Sequence, residues 1–293
     1  MRAKQLLMAL AGFVLGLPGL IQAQSIRFSD VYISAGMNWS QPSGSLSDFQ
    51  KLAPNSAILN NDFSGFTSSD YYYYSGHQAE GRASFLVGID FKNKETGEFG
   101  GTPQLRVGLT YSSGVSLSYN LWNETRTTYD TLTSSRTGNK AYVDSIYSES
   151  YAMDYSTENL MLDVSLVFKT NPDARWSLYG GIGVAAGLSF NARTFVSEYQ
   201  YSSISNQGQY YDKYYNDNYD GNDEYESFRN ENTFLLTGYI PLGVDFRIGK
   251  KSEFWKRTHL FFELRPAINY SHIPELGNYV QGSLQHSFGI RIT

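Results

Sequence analysis

The chain carries four histidines, His77, His259, His272 and His286, and no cysteine. A histidine within hydrogen-bond reach of a serine and a carboxylate is the arrangement that an acyl-transferring or hydrolytic site needs. Two stretches come near it. His286 and Ser287 are adjacent, but successive side chains of an extended strand point to opposite faces. Ser271 and His272 sit at a strand end that Glu275 can approach. Each histidine otherwise reads as a surface or loop residue, and the sequence predicts no catalytic residue and no enzyme. Without cysteine there is no disulfide framework, no lipid anchor on an N-terminal cysteine and none of the commonest zinc sites.

A second candidate is QYYDKYYNDNYDGNDEY, residues 209–225, with six tyrosines and four aspartates. A calcium loop wants oxygen ligands at positions one, three and five, glycine at six and glutamate at twelve. With Gly221 as the sixth position, Asn216, Asn218 and Asp220 supply the first three. Ser227 then falls where the bidentate glutamate belongs, with Glu226 beside it. The match is incomplete, so no metal and no cofactor is predicted. The tyrosines Tyr210, Tyr211, Tyr214, Tyr215, Tyr219 and Tyr225 form a candidate binding loop instead, because tyrosine mixed with small polar residues suits recognition surfaces. YYYY at residues 71–74 and the stretch 141–155 share this composition. The competing reading is that such segments extend strands outward as hairpins with tyrosines paired across them.

The ends and the charge narrow the setting. Arg2 and Lys4, an apolar run over residues 6–21 and Ala23 read as a secretory signal peptide cut after Ala23. Its removal takes the formal charge from -5 to -7, and the mildly acidic remainder argues against a nucleic-acid partner.

Those candidates must be positioned by strands, since segment after segment alternates apolar and polar residues. Residues 30–40 put Val31, Ile33, Ala35, Met37 and Trp39 on one face, with Tyr32, Ser34, Gly36 and Asn38 on the other. Residues 105–122 place Leu105, Val107, Leu109, Tyr111, Val115, Leu117 and Tyr119 on one apolar face. Residues 83–92, 159–169, 176–193, 238–248, 260–270 and 280–293 continue the pattern, making eight strands. The second face collects charge: Asp90, Arg106, Asp163, Asp245, Arg247, Glu263, Arg265 and Arg291. In a small membrane barrel such a face fills the lumen with ion pairs while the apolar face meets lipid. The strands are long for soluble ones, about five or six residues, and suit a tilted span of about nine to eleven. Connectors alternate between short and long, as between the two sides of an outer membrane. Trp39, Trp122, Trp176 and Trp255 fall at the predicted membrane edges, which indole prefers. His286 lands on the lipid face, tolerated as neutral imidazole or brought there by a missed bulge.

ISAGMNWS (33–40), GYIPLGVDFRIGKK (238–251), FFELRPAINY (261–270) and GSLQHSFGIRIT (282–293) resemble the Bacteroidota outer-membrane β-barrel families, including the PorT-like group and OmpA-like eight-stranded barrels. The resemblance covers about a third of the chain and implies fold and location more than function.

The sequence therefore predicts an all-β protein, an antiparallel eight-stranded transmembrane β-barrel with short periplasmic turns and long extracellular loops over about residues 41–81, 123–158 and 198–230. Residues 24–293 form a single domain in the bacterial cell outer membrane. Its expected surroundings are outer-membrane lipid and lipopolysaccharide, with an envelope protein or glycan partner at the outer loops. A narrow solute or ion channel and a lipid-modifying barrel enzyme are the alternatives. Ten strands result if residues 125–155 form a further hairpin.

Overall fold

The computed structural model describes residues 26–68, 78–92, 97–171, 174–206, 209–211, 223–249 and 252–293. Its strands are β1 (Ile26–Ser40), β2 (Thr67–Ser68), β3 (Gln78–Lys92), β4 (Phe99–Thr133), β5 (Lys140–Lys169), β6 (Trp176–Asn206), β7 (Gln209–Tyr211), β8 (Glu224–Arg229), β9 (Phe234–Tyr239), β10 (Leu242–Arg247), β11 (Thr258–Ile273) and β12 (Gly277–Ile292). All pair antiparallel in one sheet. β1, β3, β4, β5 and β6 follow in order; β9 and β10 both lie between β6 and β11; β11 meets β12, and β12 returns to β1. The ring is closed. It leaves no free sheet edge along the wall.

The twelve segments differ from the eight predicted strands for a local reason. The run expected to be one strand over residues 238–248 is split into β9 and β10 at Ile240-Pro241, because proline has no N–H to give the ladder. Ile240 N still donates to Pro266 O at 3.1 Å, which holds the two pieces in line. β2 and β7 are short additions to the long strands.

The wall is polar inside and apolar outside. Exposed outward side chains come from every part of the ring: Ile33, Phe85, Leu109, Leu160, Ile182 and Leu242, then Ile268 and Phe288. Inward positions on the same strands hold Asp30, Arg106, Asp163, Glu263, Arg265 and Arg291, all buried. Period-two alternation produces both faces at once, since one strand cannot place neighbours on the same side.

Beyond the ring the strands continue at one end. β4 and β5 stay paired out to Thr133 and Lys140, so residues 125–155 are arms of these two strands and not an extra hairpin. β6 continues to Asn206 against β5, and β8 covers part of it. The stretches expected as long loops over 123–158 and 198–230 are therefore largely strand where they are described. The segment after β1 folds as well. Helix α1 (Leu46–Leu52) starts at a capping box in which Asp48 N donates to Ser45 Oγ and Ser45 N donates to the Asp48 carboxylate. A single 3-10 turn, Ile58–Asn60, follows. At the other end the links are short, and α2 (Glu253–Arg257) joins β10 to β11.

Two register shifts alter the predicted faces. Ser116 is an extra residue in β4 between Val115 and Leu117, so Leu117 and Leu121 turn inward and are buried instead of facing out. In β6 the pair Asn191 and Ala192 opposes the single Thr157, and Asn191 adopts φ 56°, a left-handed conformation suited to a bulge. Asn191, expected inside, is exposed, and Ala192 takes the inward place. A one-residue slip moves every later side chain to the other face.

Candidate functional site

The inward side chains build two layers of charge. In the layer nearer the short links, Arg291 Nε donates to Asp245 Oδ2 at 2.8 Å and Arg291 Nη1 to Asp30 Oδ1 at 2.9 Å. Lys169 Nζ lies 3.0 Å from the Tyr32 hydroxyl, which donates to Gln104 Oε1 at 2.6 Å. Asp90 sits at the rim of this layer, where Arg27 reaches it at 3.1 Å. The second layer is an alternating chain. Arg82 pairs with Asp163 at 3.1 Å, Asp163 with Arg265 at 2.9 Å, Arg265 with Glu263, and Glu263 with Arg106 at 2.7 Å.

Aromatic rings frame these cations. The Arg106 guanidinium lies between the Tyr32 ring at 4.3 Å and the Tyr179 ring at 4.6 Å, and Arg265 stacks on Tyr239 at 4.5 Å. Glycine makes the space: a Cβ on Gly183 would overlap the Tyr239 ring, and one on Gly243 the Tyr179 ring. Of the charged residues expected in this network, seven take part. Arg247 does not; it is half-buried and its Nε has no partner. Sequence reasoning put Tyr32 and Tyr179 on the inward face without joining them to this network, and it did not single out Asp30, Arg82, Gln104 or Tyr239. All share the inward phase, so reading every inward position as lumen filling would have found them.

The histidines go to three environments. His77 lies outside the described residues. His259, expected at the surface, is buried, because its Nδ1 lies 2.6 Å from Asp245 Oδ1 and 2.8 Å from Arg291 Nη2. His272 Nδ1 lies 2.8 Å from Asn278 Oδ1, while Glu275 turns to Asn230 and to the Glu231 N–H. His286 stays on the outer face without any register shift in β12. Trp39 Nε1 donates to its Nδ1 at 3.0 Å, and the rings stack with centroids 6.1 Å apart.

The arms enclose a second, apolar core. Phe49, Leu52, Ile58 and Leu59 of the segment after β1 pack against Leu117, Leu121, Tyr151, Met153, Tyr155 and Val196. This segment caps the ring. Ser56 Oγ and Ala57 N donate to the Glu226 carboxylate, and Asn230 Nδ2 donates to Leu52 O at 2.8 Å. Glu226, considered beside the calcium loop, is thus committed to the cap. Asn61 Nδ2 donates to the Tyr151 hydroxyl at 3.2 Å, whose pKa is pushed up by burial and by Glu149 beside it.

No family model matches the chain, and no curated protein matches it. Among solved structures the chain is similar to neisserial surface protein A, at 11% identity and a TM-score of 0.28, over 90% of this chain and 98% of that one. It is also similar to Ail, the attachment invasion locus protein of Yersinia pestis, in complex with the heparin analogue sucrose octasulfate. There the identity is 12% and the TM-score 0.22, over 91% of this chain and 100% of that one. Likeness this distant has no bearing on what the chain binds. The Bacteroidota resemblance rests on its own sequence stretches.

The remaining predicted positions spread apart. Tyr214, Tyr215 and Tyr219 lie outside the described residues, Tyr210 and Tyr211 belong to β7, and Tyr225 is the second residue of β8, at 82 % exposure. Trp39, Trp176 and Trp255 are exposed, and Trp176 packs on Phe246 with centroids 4.3 Å apart. Trp122 stands on the β4 arm opposite Thr67, past the shift at Val115/Leu117, and so is not level with Trp39.

Proposed function

We propose that the chain is a non-enzymatic β-barrel of the bacterial outer membrane that presents a folded, tyrosine-rich binding face outside the cell. The observation that supports it is the inverted polarity of a closed ring, with buried ion pairs within and exposed apolar side chains on all sides. Water would leave that girdle aggregation-prone, whereas lipid matches it. In this reading β8, β9 and β10 count as one interrupted stave, which gives eight. The arms and cap lie outside the cell, the short links face the periplasm, and residues 1–23 are the export signal. The Bacteroidota outer-membrane families are the proposed relatives. Outer-membrane lipid and lipopolysaccharide surround the wall, and a glycan or an envelope protein meets the arms. The filled lumen favours a binding or structural role over a channel, because buried charges paired in layers leave no wide path.

Fractionation of cells and gel mobility before and after boiling test the barrel. An outer-membrane fraction with a heat-dependent shift is expected; a soluble fraction without one overturns the reading. Steady single-channel conductance in planar bilayers would reverse the preference against a channel. Deleting residues 212–222 should preserve the gel shift and reduce adhesion, while unchanged adhesion favours plain strand extension.

A further inference from the structure

Between the second charge layer and the cap lies a cavity of about 260 Å³. Its lining includes Leu117, Tyr155 and Ile273 of the cap core and reaches the exposed Gln41 and Ser43 after β1. Among the described residues, two charged side chains line it, Glu80 and Arg82. Glu80 is only 8 % exposed, and its one hydrogen bond among them comes from Asn38 Nδ2 to Oε2 at 2.9 Å. Its Oε1 is left without a partner and, unlike the Asn38 and Asn159 Oδ1 atoms, is not sealed from the cavity. The strands build this position. Glu80 stands opposite Asn38 on β1, and Gly114 on β4 stands opposite Thr157 on β5. A Cβ on Gly114 would overlap the Glu80 side chain, so the glycine gives that side chain its room.

An ionised carboxylate buried this far is costly without a counter-ion. Arg82 does not supply one. Its Nη1 donates to Gln285 Oε1 at 2.7 Å and its Nη2 to Asp163 at 3.1 Å, with no ion pair to Glu80. The second layer sets Arg82, Arg106 and Arg265 against Asp163 and Glu263, so Glu80 formally balances its charge. A carboxylate built into that layer would touch an arginine, as Asp163 and Glu263 each touch two. Glu80 touches none among the described residues. Its counter-ion must therefore come from the cavity. Calcium wants about six to eight oxygen ligands, and Glu80 is the one carboxylate in the described lining. A primary ammonium asks for less. It has three N–H donors, one for Glu80 and the others for the Thr157 and Ser116 hydroxyls, which line the cavity 3.0 Å from each other. Met161 and Leu235 add apolar surface for a short carbon chain. The volume sits just below the usual range of small-molecule pockets, about 300–1,000 Å³, so that chain must be short.

We propose that this chamber binds a small organic cation by its primary ammonium group, paired with Glu80 and hydrogen-bonded to Thr157 and Ser116. Gln41 and Ser43 put its mouth at the capped end, so the ligand crosses neither charge layer. The full chain, refolded in neutral detergent micelles, is titrated with ethanolamine and n-butylamine. Salt at about 0.15 M screens the exposed carboxylates. Ethylene glycol and n-butanol are the uncharged matches of the two amines, with butyrate and calcium as anionic and metal probes. Calorimetry and saturation-transfer magnetic resonance read binding. At least one amine is expected to bind with a Kd below about 1 mM, and its matching alcohol at least about tenfold more weakly. Glu80→Gln keeps the size of the side chain and an acceptor for Asn38. It should weaken amine binding about tenfold, equivalent to about 1.4 kcal/mol, with the heat-dependent gel shift retained. The proposal is overturned if neither amine binds the wild-type chain at about 10 mM, a concentration well above that Kd. It is also overturned if the matching alcohol binds as tightly, if Glu80→Gln binds undiminished, or if only butyrate or calcium binds. The comparison of amine with alcohol on the wild type decides even where Glu80→Gln fails to fold. A soluble wild type without a gel shift counts against the barrel reading alone and is titrated without detergent.

Discussion

Replacing Asp163 by alanine should be the most damaging single change in the lumen. The carboxylate is 0 % exposed and accepts from Arg82, Arg265, Thr110 and the Tyr239 hydroxyl. Without it Arg265 keeps Glu263, but Arg82 keeps only the Gln285 amide. Removing one member of a buried pair costs about 3–5 kcal/mol, because the other charge remains buried and uncompensated. The two lost hydroxyl hydrogen bonds add about 0.5–1.5 kcal/mol each, so the expected total is about 4–8 kcal/mol. Asp90→Ala is the matched control. Its partner Arg27 is 56 % exposed, so that pair contributes about 1 kcal/mol or less. Asp90 also accepts from Gln104 Nε2 at 3.1 Å, which raises the control's cost to about 1–2 kcal/mol. Both variants are refolded into lipid vesicles and titrated with urea, with the heat-dependent gel shift reading the folded fraction. Asp163→Leu combined with Arg82→Met should recover most of the loss, since it removes both charges together. Equal costs for Asp163→Ala and Asp90→Ala would refute the reasoning, because burial would then not decide what a lumen charge contributes.

Three further outcomes follow from other parts of the molecule. Phe85→Arg places a charge in the middle of the outward girdle and should cost about 2–4 kcal/mol in lipid vesicles; a neutral or more soluble variant would count against the lipid-facing belt. Phe49→Ala removes the most deeply buried ring of the cap and should cost that unit about 3–5 kcal/mol. Trypsin should then cut at Lys51 with the gel shift intact, and protection equal to wild type would show that the cap does not depend on that core. Asn191→Val puts a β-branched side chain at φ 56° and should destabilise by about 1–3 kcal/mol in the same urea titration, whereas Asn191→Gly should be neutral or better.

Much of the wall was legible in the sequence because alternation is a covalent property of extended chain. Asp163, Glu263 and Arg265 could be placed inside from parity alone. Parity fails at a bulge, and nothing in GVSLSYNLW announces that Ser116 is the extra residue. It is set by how β4 meets β5, which is tertiary information. Asn191 carried a weak signal, since asparagine tolerates the left-handed region better than most residues. The cap was missed for another reason. Its apolar residues are too few to show a helical period, although Ser45 followed by Asp48 is the spacing of a capping box and marks the start of α1.

On the proposed membrane reading, the bulges also lie where the wall changes solvent. Along β5, outward residues from Phe168 back to Leu160 are all apolar, a nine-residue stretch that matches a tilted span of about nine to eleven. The next outward residues are Glu158, Ser156 and Asp154, while inward positions turn from Asp163 and Asn159 to Tyr155, Met153 and Tyr151. Inside and outside have exchanged polarity. That exchange is what a wall leaving lipid for water requires, since lipid favours apolar residues outside and water favours them inside. β5 achieves it by changing composition without a shift in phase. β4 and β6 each insert one residue at the same level, so that Leu117 and Leu121, and then Ala192 and Val196, arrive inward to meet the cap. The cap core therefore depends on the register shifts, which fall at the transition between a charge-filled interior and an apolar one.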